Sequence, residues 1–347
     1  MLGYFFFILL LLGGSIVKNL QHRLLYLFLV ITVFSSIRYG IGYDYYSYLA
    51  EASGMKDNVN YEFIPRIIED WSSQTIPFLF FLITSVFISF FYYYGIKHAG
   101  RDYLMEVLFY VSFPFLFMNQ LGVVRQGMAT SLVFCAIALR DSKLYLRIIL
   151  LVIAFFCHQS AIIAFIILIP FDKISNKALW GMLVIGFFSA TVIVPLIQGV
   201  VGYGFLGELG TQKALNYLSK EGLGEGKFIK YLVYFVGFIV LSNYKRLVKF
   251  DKDNAYYIGL IIMGVSIYAL LSFNISLSKR LGMFFFSPAI FVVPQLVKIL
   301  RIPHTVYVVI CIVLFSLTIY AGSGNVRDED PPGCSVTYPY RTIFDVL

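Results

Sequence analysis

The residues able to do chemistry stand at the ends of apolar runs. Arg38 lies in Ile37-Arg38-Tyr39-Gly40-Ile41-Gly42-Tyr43-Asp44-Tyr45-Tyr46, and Arg125 and Gln126 follow Val123-Val124. His158 and Ser160 interrupt a long apolar stretch, and Lys279 and Arg280 precede Leu281. Asp44 and Glu62 are carboxylates that follow the first of these groups along the chain. A guanidinium stays charged and grips phosphate through a planar fork of donors. Several of them facing one cavity suit the binding of a diphosphate and its stabilisation as a leaving group. A carboxylate or a histidine could then take the proton of an attacking hydroxyl. Asp44, Glu62 and His158 are the three candidates for that base, His158 being favoured because its ordinary pKa lies near neutrality. Tyr43, Tyr45, Tyr46, Tyr48 and Tyr61 offer flat faces on which sugar rings can rest, or an interfacial aromatic belt. Each of these residues also has a plainer reading, as a snorkelling arginine, a satisfied interior histidine or an external-loop charge. Neither CxxC, HxxxH nor HExxH spacing occurs, so neither a metal nor another cofactor is expected, and the four cysteines read as buried thiols.

The elements that must carry these residues are hydrophobic helices. Of 347 residues, 59% are hydrophobic and 13% charged, and the mean hydropathy is +0.82. Soluble domains carry about 25% charged residues, so lipid is the expected solvent and the fold class is an all-α, polytopic integral membrane protein. The net charge of +8 then reads as cytoplasmic loop charge, not as a nucleic-acid surface. Apolar segments fall at 2–17, 24–41, 76–95, 104–118, 122–139, 144–170, 179–200, 229–243, 255–273, 281–299 and 305–322. They give about 11 or 12 transmembrane or half-membrane helices in one domain, 1–322, followed by an external tail, 323–347. The stretch Met1 to Val17 has neither a basic start nor an Ala-x-Ala cleavage site and is expected to stay as the first helix.

Basic clusters at 18–23, 97–101, 140–147, 245–252 and 298–304 belong on the cytoplasmic side, and the acidic segment 44–70 outside. That puts the loops 42–75 and 200–228 outside. The pattern is self-consistent if 144–170 is two short helices meeting near Cys157-His158-Gln159-Ser160, each rising roughly 20 Å. A single crossing with a local exception to the charge rule is the other reading. With the broken pair, the unusual polar residues collect at one face.

Taken in order, the fragments resemble the EpsG-like family of polysaccharide polymerases, within the broad Wzy O-antigen polymerase group. They are Arg38-x-Gly40-x-Gly42-x-Asp44-Tyr45-x-x-Tyr48, Glu62-Phe63, Val124-Arg125-Gln126-x-x-Ala129, His158-x-Ser160-Ala161, and Arg280 before an aromatic span. The resemblance covers roughly residues 36 to 290. It implies a glycosyltransferase in the bacterial inner membrane, with its active site on the periplasmic or outer face. Its substrate would be an oligosaccharide repeat unit on undecaprenyl diphosphate, with the growing chain passed to a new unit. Arg38, Arg125, Gln126, Arg280, Tyr45 and Tyr48 would contact diphosphate or sugar, and a chain-length regulator is an additional partner to look for. Two other classes share the diphosphate logic. A flippase for lipid-linked sugars would place charge at mid-membrane and show an inverted repeat, and neither is visible. A ligase or other lipid-linked-sugar glycosyltransferase would carry a larger external domain.

Overall fold

The computed structural model describes residues 2–55, 62–202, 225–272 and 274–345. It is helical almost throughout, as lipid demands, because a helix satisfies its own backbone donors and acceptors. The chain forms two compact units, one of residues 1–165 with 300–347 and one of residues 166–299.

The first unit opens with α1 (Leu2–Gly13) and α2 (Leu20–Ser36). Asn19 starts α2 by accepting the Gln21 and His22 amides at 2.9 and 3.1 Å, the usual cure for unpaired donors at a helix start. A two-residue strand β1 (Arg38–Tyr39) follows. The segment read as an external loop then contains two short helices, α3 (Tyr45–Ala52) and α4 (Phe63–Ser73). The expected span at 76–95 is α5 (Leu79–Ala99). The span expected at 104–118 is broken into α6 (Tyr103–Ser112) and α7 (Phe117–Gly122). Pro114 accounts for the break, since it removes an amide donor and drives the residue before it out of helical geometry. Next come α8 (Val124–Ala138) and α9 (Leu144–Cys157). At His158 the backbone turns extended (φ −161°, ψ 122°), and a 3₁₀ helix runs from Gln159 to Leu168. The 144–170 segment is therefore interrupted at the expected residues. The last long helix, His304–Ser323, packs on α6, and its Tyr307 hydroxyl donates to the Met105 carbonyl at 2.8 Å.

Neighbouring helices fix which ends meet. Arg38 reaches Ser85 of α5 and Phe28 of α2 meets Tyr93, so α2 and α5 run antiparallel. Tyr92 stacks on Phe134, and Gly127 approaches Ile88, so α5 and α8 run parallel. The short turn to α9 sends that helix back, and Arg147 of α9 donates to the Ala136 carbonyl at 3.2 Å. The end of α2 and the starts of α5 and α8 thus gather with the end of α9. The basic residues Lys97, Arg140 and Lys143 stand at the opposite ends of α5, α8 and α9.

In the second unit the helix Asn254–Leu270 is the hub, buried along most of its length. Asn254 bonds the Leu247 carbonyl at 2.9 Å and Gln295 at 2.7 Å. The span expected at 281–299 is bent by 63° between Leu277–Phe286 and Ala289–Ile299, with Pro288 at the break. Helices Asn176–Gly202 and Glu225–Ser242 occupy two further expected spans. The loop expected at 200–228 lies largely outside the described residues. Among the described residues, Leu79–Ala99 and His304–Ser323 are long and apolar enough to cross a membrane singly, and the bent pair makes a third; several apolar helices of 10–17 residues accompany them. Cys135, Cys157 and Cys311 are buried free thiols and Cys334 is half-buried.

The tail does not hang free of the first unit. It returns as β2 (Arg341–Thr342) and pairs antiparallel with β1, Arg38 opposite Thr342 and Tyr39 opposite Arg341. Between β1 and α3 the chain needs two left-handed glycines, Gly40 (φ 69°) and Gly42 (φ 111°). A Cβ on Gly42 would strike the Leu121 carbonyl and sit 3.0 Å from the Gly122 Cα. Gly42→Ala is therefore expected to cost upwards of about 1–3 kcal/mol. Thermal unfolding of the purified protein should show it against Gly54→Ala. That position also has positive φ (69°), but its nearest neighbour would be 4.0 Å away. Equal losses in the two variants would mean the Leu121 contact does not matter.

Candidate functional site

The site grows from a kink, a helix start and a short helix brought to one end of the first unit. Glu62 immediately precedes α4, and its Oε2 lies 2.8 Å from an Arg125 guanidinium nitrogen in the first turn of α8. The other oxygen, Oε1, accepts the Gln159 amide at 3.1 Å and stands 3.8 Å from His158 Nδ1. The break after α9 makes this contact, because a continuous helix would have tied the Gln159 amide to its own turn. Arg125 also donates to the Tyr48 hydroxyl. Asp44, one turn before Tyr48, completes the acidic side of the cluster and acts electrostatically on that tyrosine. Of the ion pair, the Glu62 side chain is 9% exposed and that of Arg125 24%. The carboxylate is nearly dry while part of the guanidinium remains accessible.

His158 has a readable tautomer. Its Nδ1 accepts the Ser160 backbone amide at 3.2 Å, and the Ser160 hydroxyl is 2.9 Å from the same atom. An amide can only donate, so in the neutral ring the proton sits on Nε2. Ser160 and Glu62 approach the same ring nitrogen, which differs from a relay, where base and orienting acid use opposite nitrogens.

Six residues singled out in the sequence, Asp44, Tyr48, Glu62, Arg125, His158 and Ser160, therefore meet. Three others do not join them on the accessible side. Arg38 is 1% exposed. It donates to the Ser35 carbonyl, to Ile41 at 3.3 Å and to Leu121 at 3.4 Å, and it lies 5.0 Å above the Phe81 ring. Tyr45 is wholly buried, stacked on Phe81 at 4.4 Å. Gln126 points into the bundle at 1% exposure. Arg280 belongs to the second unit, exposed on the helix Ile275–Phe286.

Two features carried little signal. The helix α4 buries Pro65, Glu69 and Ser72 and exposes Phe63, Ile67 and Trp71. Its apolar residues fall at helical spacing, which was the available sign, although the segment reads first as a charged loop. The tail supplies Arg327 and Asp330. Arg327 donates to the Gly40 carbonyl at 2.5 Å, to Tyr43 at 3.3 Å and to Gly42. Asp330 takes its Nε and a terminal nitrogen at 3.1 and 2.6 Å. Burial opposes ionisation of Asp330, but the Arg327 hydrogen bonds outweigh it and hold the carboxyl below its usual range. The clasp is therefore charged above that range and weakens only as pH falls through it.

Together the fold and the site define an all-α polytopic membrane protein with an arginine–carboxylate–histidine cluster at its helix ends. The chain matches the EpsG family over residues 22–340, nearly its whole length, and belongs to that family, a Wzy-like group of polysaccharide polymerases. Neither the curated proteins nor the solved structures give a match.

The Arg125–Glu62 pair should behave as a partly desolvated bond. A double-mutant cycle with Arg125→Ala and Glu62→Gln, read by thermal unfolding in detergent, is expected to give coupling of roughly 1–2 kcal/mol. An exposed pair would give about 0.2–1 kcal/mol or less.

Proposed function

We propose that this chain polymerises oligosaccharide repeat units carried on undecaprenyl diphosphate, in O-antigen or exopolysaccharide synthesis. The reaction takes place at the outer face of the bacterial cytoplasmic membrane. The observation that carries this reading is Arg125, steered by Glu62 and Tyr48 to a half-dry helix end beside His158. The accessible part of the guanidinium suits an anion that must be bound and then released. Basic loops at the opposite helix ends favour placing the cluster outside.

In the proposed step the acceptor hydroxyl attacks the anomeric carbon of the growing chain. A carbon–oxygen bond forms there as the bond to the diphosphate breaks, and the lipid diphosphate leaves with both bonding electrons. Arg125 offsets the charge that accumulates on it. The acceptor's proton needs a lone pair to receive it. Both Glu62 oxygens already accept donors, and the His158 Nδ1 lone pair is engaged by Ser160. Asp44, the remaining candidate, acts electrostatically on Tyr48 beside Arg125 and is preferred as the base in place of His158. His158 then serves as an N–H donor through Nε2, toward the diphosphate or a sugar hydroxyl. Arg38 and Tyr45 shape the site from beneath it, and Arg280 keeps a proposed substrate role on the second unit.

The test uses a strain lacking its own copy, with the surface polysaccharide ladder and the membrane level of the protein read together. Arg125→Ala and Asp44→Asn, present at normal levels, are expected to leave single repeat units only. Unchanged long chains in Arg125→Ala would overturn the reading, and loss of single units as well would point to a flippase or ligase. At position 158, Gln can reproduce a donor placed like Nε2–H, whereas Asn and Ala cannot. His158→Gln is accordingly expected to keep clearly more chain extension than His158→Asn or His158→Ala. If all three are equally inactive, His158 is the base after all.

A further inference from the structure

We propose that Arg327, held by Asp330, is a positioning residue for the polymerase site, and that the C-terminal tail belongs to the catalytic apparatus. The inference rests on the polymerase reading above. The stretch Gly40–Asp44 has left-handed glycines at 40 and 42 and sits outside any helix, although its Gly42 and Asp44 carbonyls also accept the Tyr45 and Tyr48 amides of α3, at 3.3 and 3.0 Å. One guanidinium serves three carbonyls of the stretch, those of Gly40, Gly42 and Tyr43, while its plane lies 4.7 Å over the Tyr46 ring. Asp330 grips the same guanidinium by two nitrogens and the Arg327 amide at 2.9 Å. The Asp330 side chain is completely buried. Val336 adds a fourth tie from the tail, its carbonyl accepting the Gly42 amide at 2.9 Å.

The far side of the same stretch touches the catalytic helices. The Asp44 amide donates to the Gly122 carbonyl at 3.3 Å, just before α8 begins, and Gly42 is pressed on Leu121. From Asp44 the chain enters α3 directly, and one turn later Tyr48 meets Arg125. The corner is thus held between the tail and the α7–α8 junction. Without Arg327, three carbonyls lose a charged donor together, and a buried carboxylate loses its counter-charge. Asp44 and Tyr48 then lose the register that meets Arg125, and small misplacements of reacting groups cost up to about a hundredfold in rate.

The experiment measures chain extension in membranes, supplied with lipid-linked repeat units extracted from a strain lacking the protein. Arg327→Ala is expected to lower the rate between about ten- and a hundredfold, on kcat more than on KM, because the Arg125–Glu62 pair is intact. Asp345→Ala, in the same tail but bonded among the described residues only to Thr342, is expected to keep the normal rate. Combined with Tyr48→Phe, Arg327→Ala should cost little beyond the worse single variant, since both act on Arg125. Effects that multiply would mean Arg327 merely steadies the tail, and a rate within twofold of normal for Arg327→Ala would overturn the proposal outright. If the Ala variant does not accumulate, Arg327→Lys carries the test. A lysine keeps the charge without the fork, so a full rate at normal protein level overturns the proposal and a lowered one supports it. Arg125→Ala run alongside separates the two readings. Should it too extend chains normally, the polymerase assignment itself fails, whatever Arg327 does.

Discussion

A non-helical turn at the edge of a membrane protein has carbonyls that lipid cannot solvate, and the first unit is organised around supplying donors to one such turn. Arg38 reaches it from beneath, through Ile41 and Leu121. Arg327 reaches it from the tail, through Gly40, Gly42 and Tyr43. A guanidinium suits this work because it offers five donors in a fixed plane and cannot be deprotonated away. A buried charge is costly by itself. Here each arginine is surrounded by carbonyl oxygens and an aromatic face, and Arg327 has a carboxylate as well. The two glycines let the backbone turn tightly enough to present those carbonyls inward.

From that turn the site acquires its stiffness. The helix α3 begins where the turn ends, so its tyrosines point in directions fixed by the corner. Tyr45 packs into the bundle and Tyr48 meets Arg125. Opposite them the break at His158 releases one backbone amide, and Glu62 captures it while holding Arg125 with its other oxygen. The carboxylate thereby ties α4, α8 and the end of α9 together. A preorganised cation of this kind stabilises developing charge without having to reorganise during the reaction.

Much of this was legible beforehand, for identifiable reasons. Hydropathy marks helices strongly, so the long apolar runs and the interruption at His158 could be read from composition and charge placement alone. Proline breaks at Pro114 and Pro288 were written in the sequence too, but a run such as 104–118 stays apolar through its kink, and hydropathy is blind to it. Side-chain direction was the harder matter. Arg38 and Arg125 look alike as arginines at helix ends, yet one is sealed among carbonyls and the other stays partly open. Only tertiary contact separates them. Glu51 and Glu69 read as loop charges and are buried, on the helices α3 and α4, which pack on one another. The tail had an Arg327–Asp330 pair at short spacing, but nothing local reveals that its partners lie nearly 290 positions earlier.

The inverted pattern of α4 has one more consequence. A helix that buries Glu69 and turns Phe63, Ile67 and Trp71 outward beside the exposed pair Arg66 and Asp70 has the mixed apolar and charged surface that suits the boundary between headgroups and acyl chains. Phe156 of α9, half exposed, meets Phe63 edge-on at 6.1 Å and extends that greasy rim. Because Glu62 is the residue from which α4 starts, whatever surface holds that exposed face also fixes the level of the carboxylate and of the arginine it pairs with.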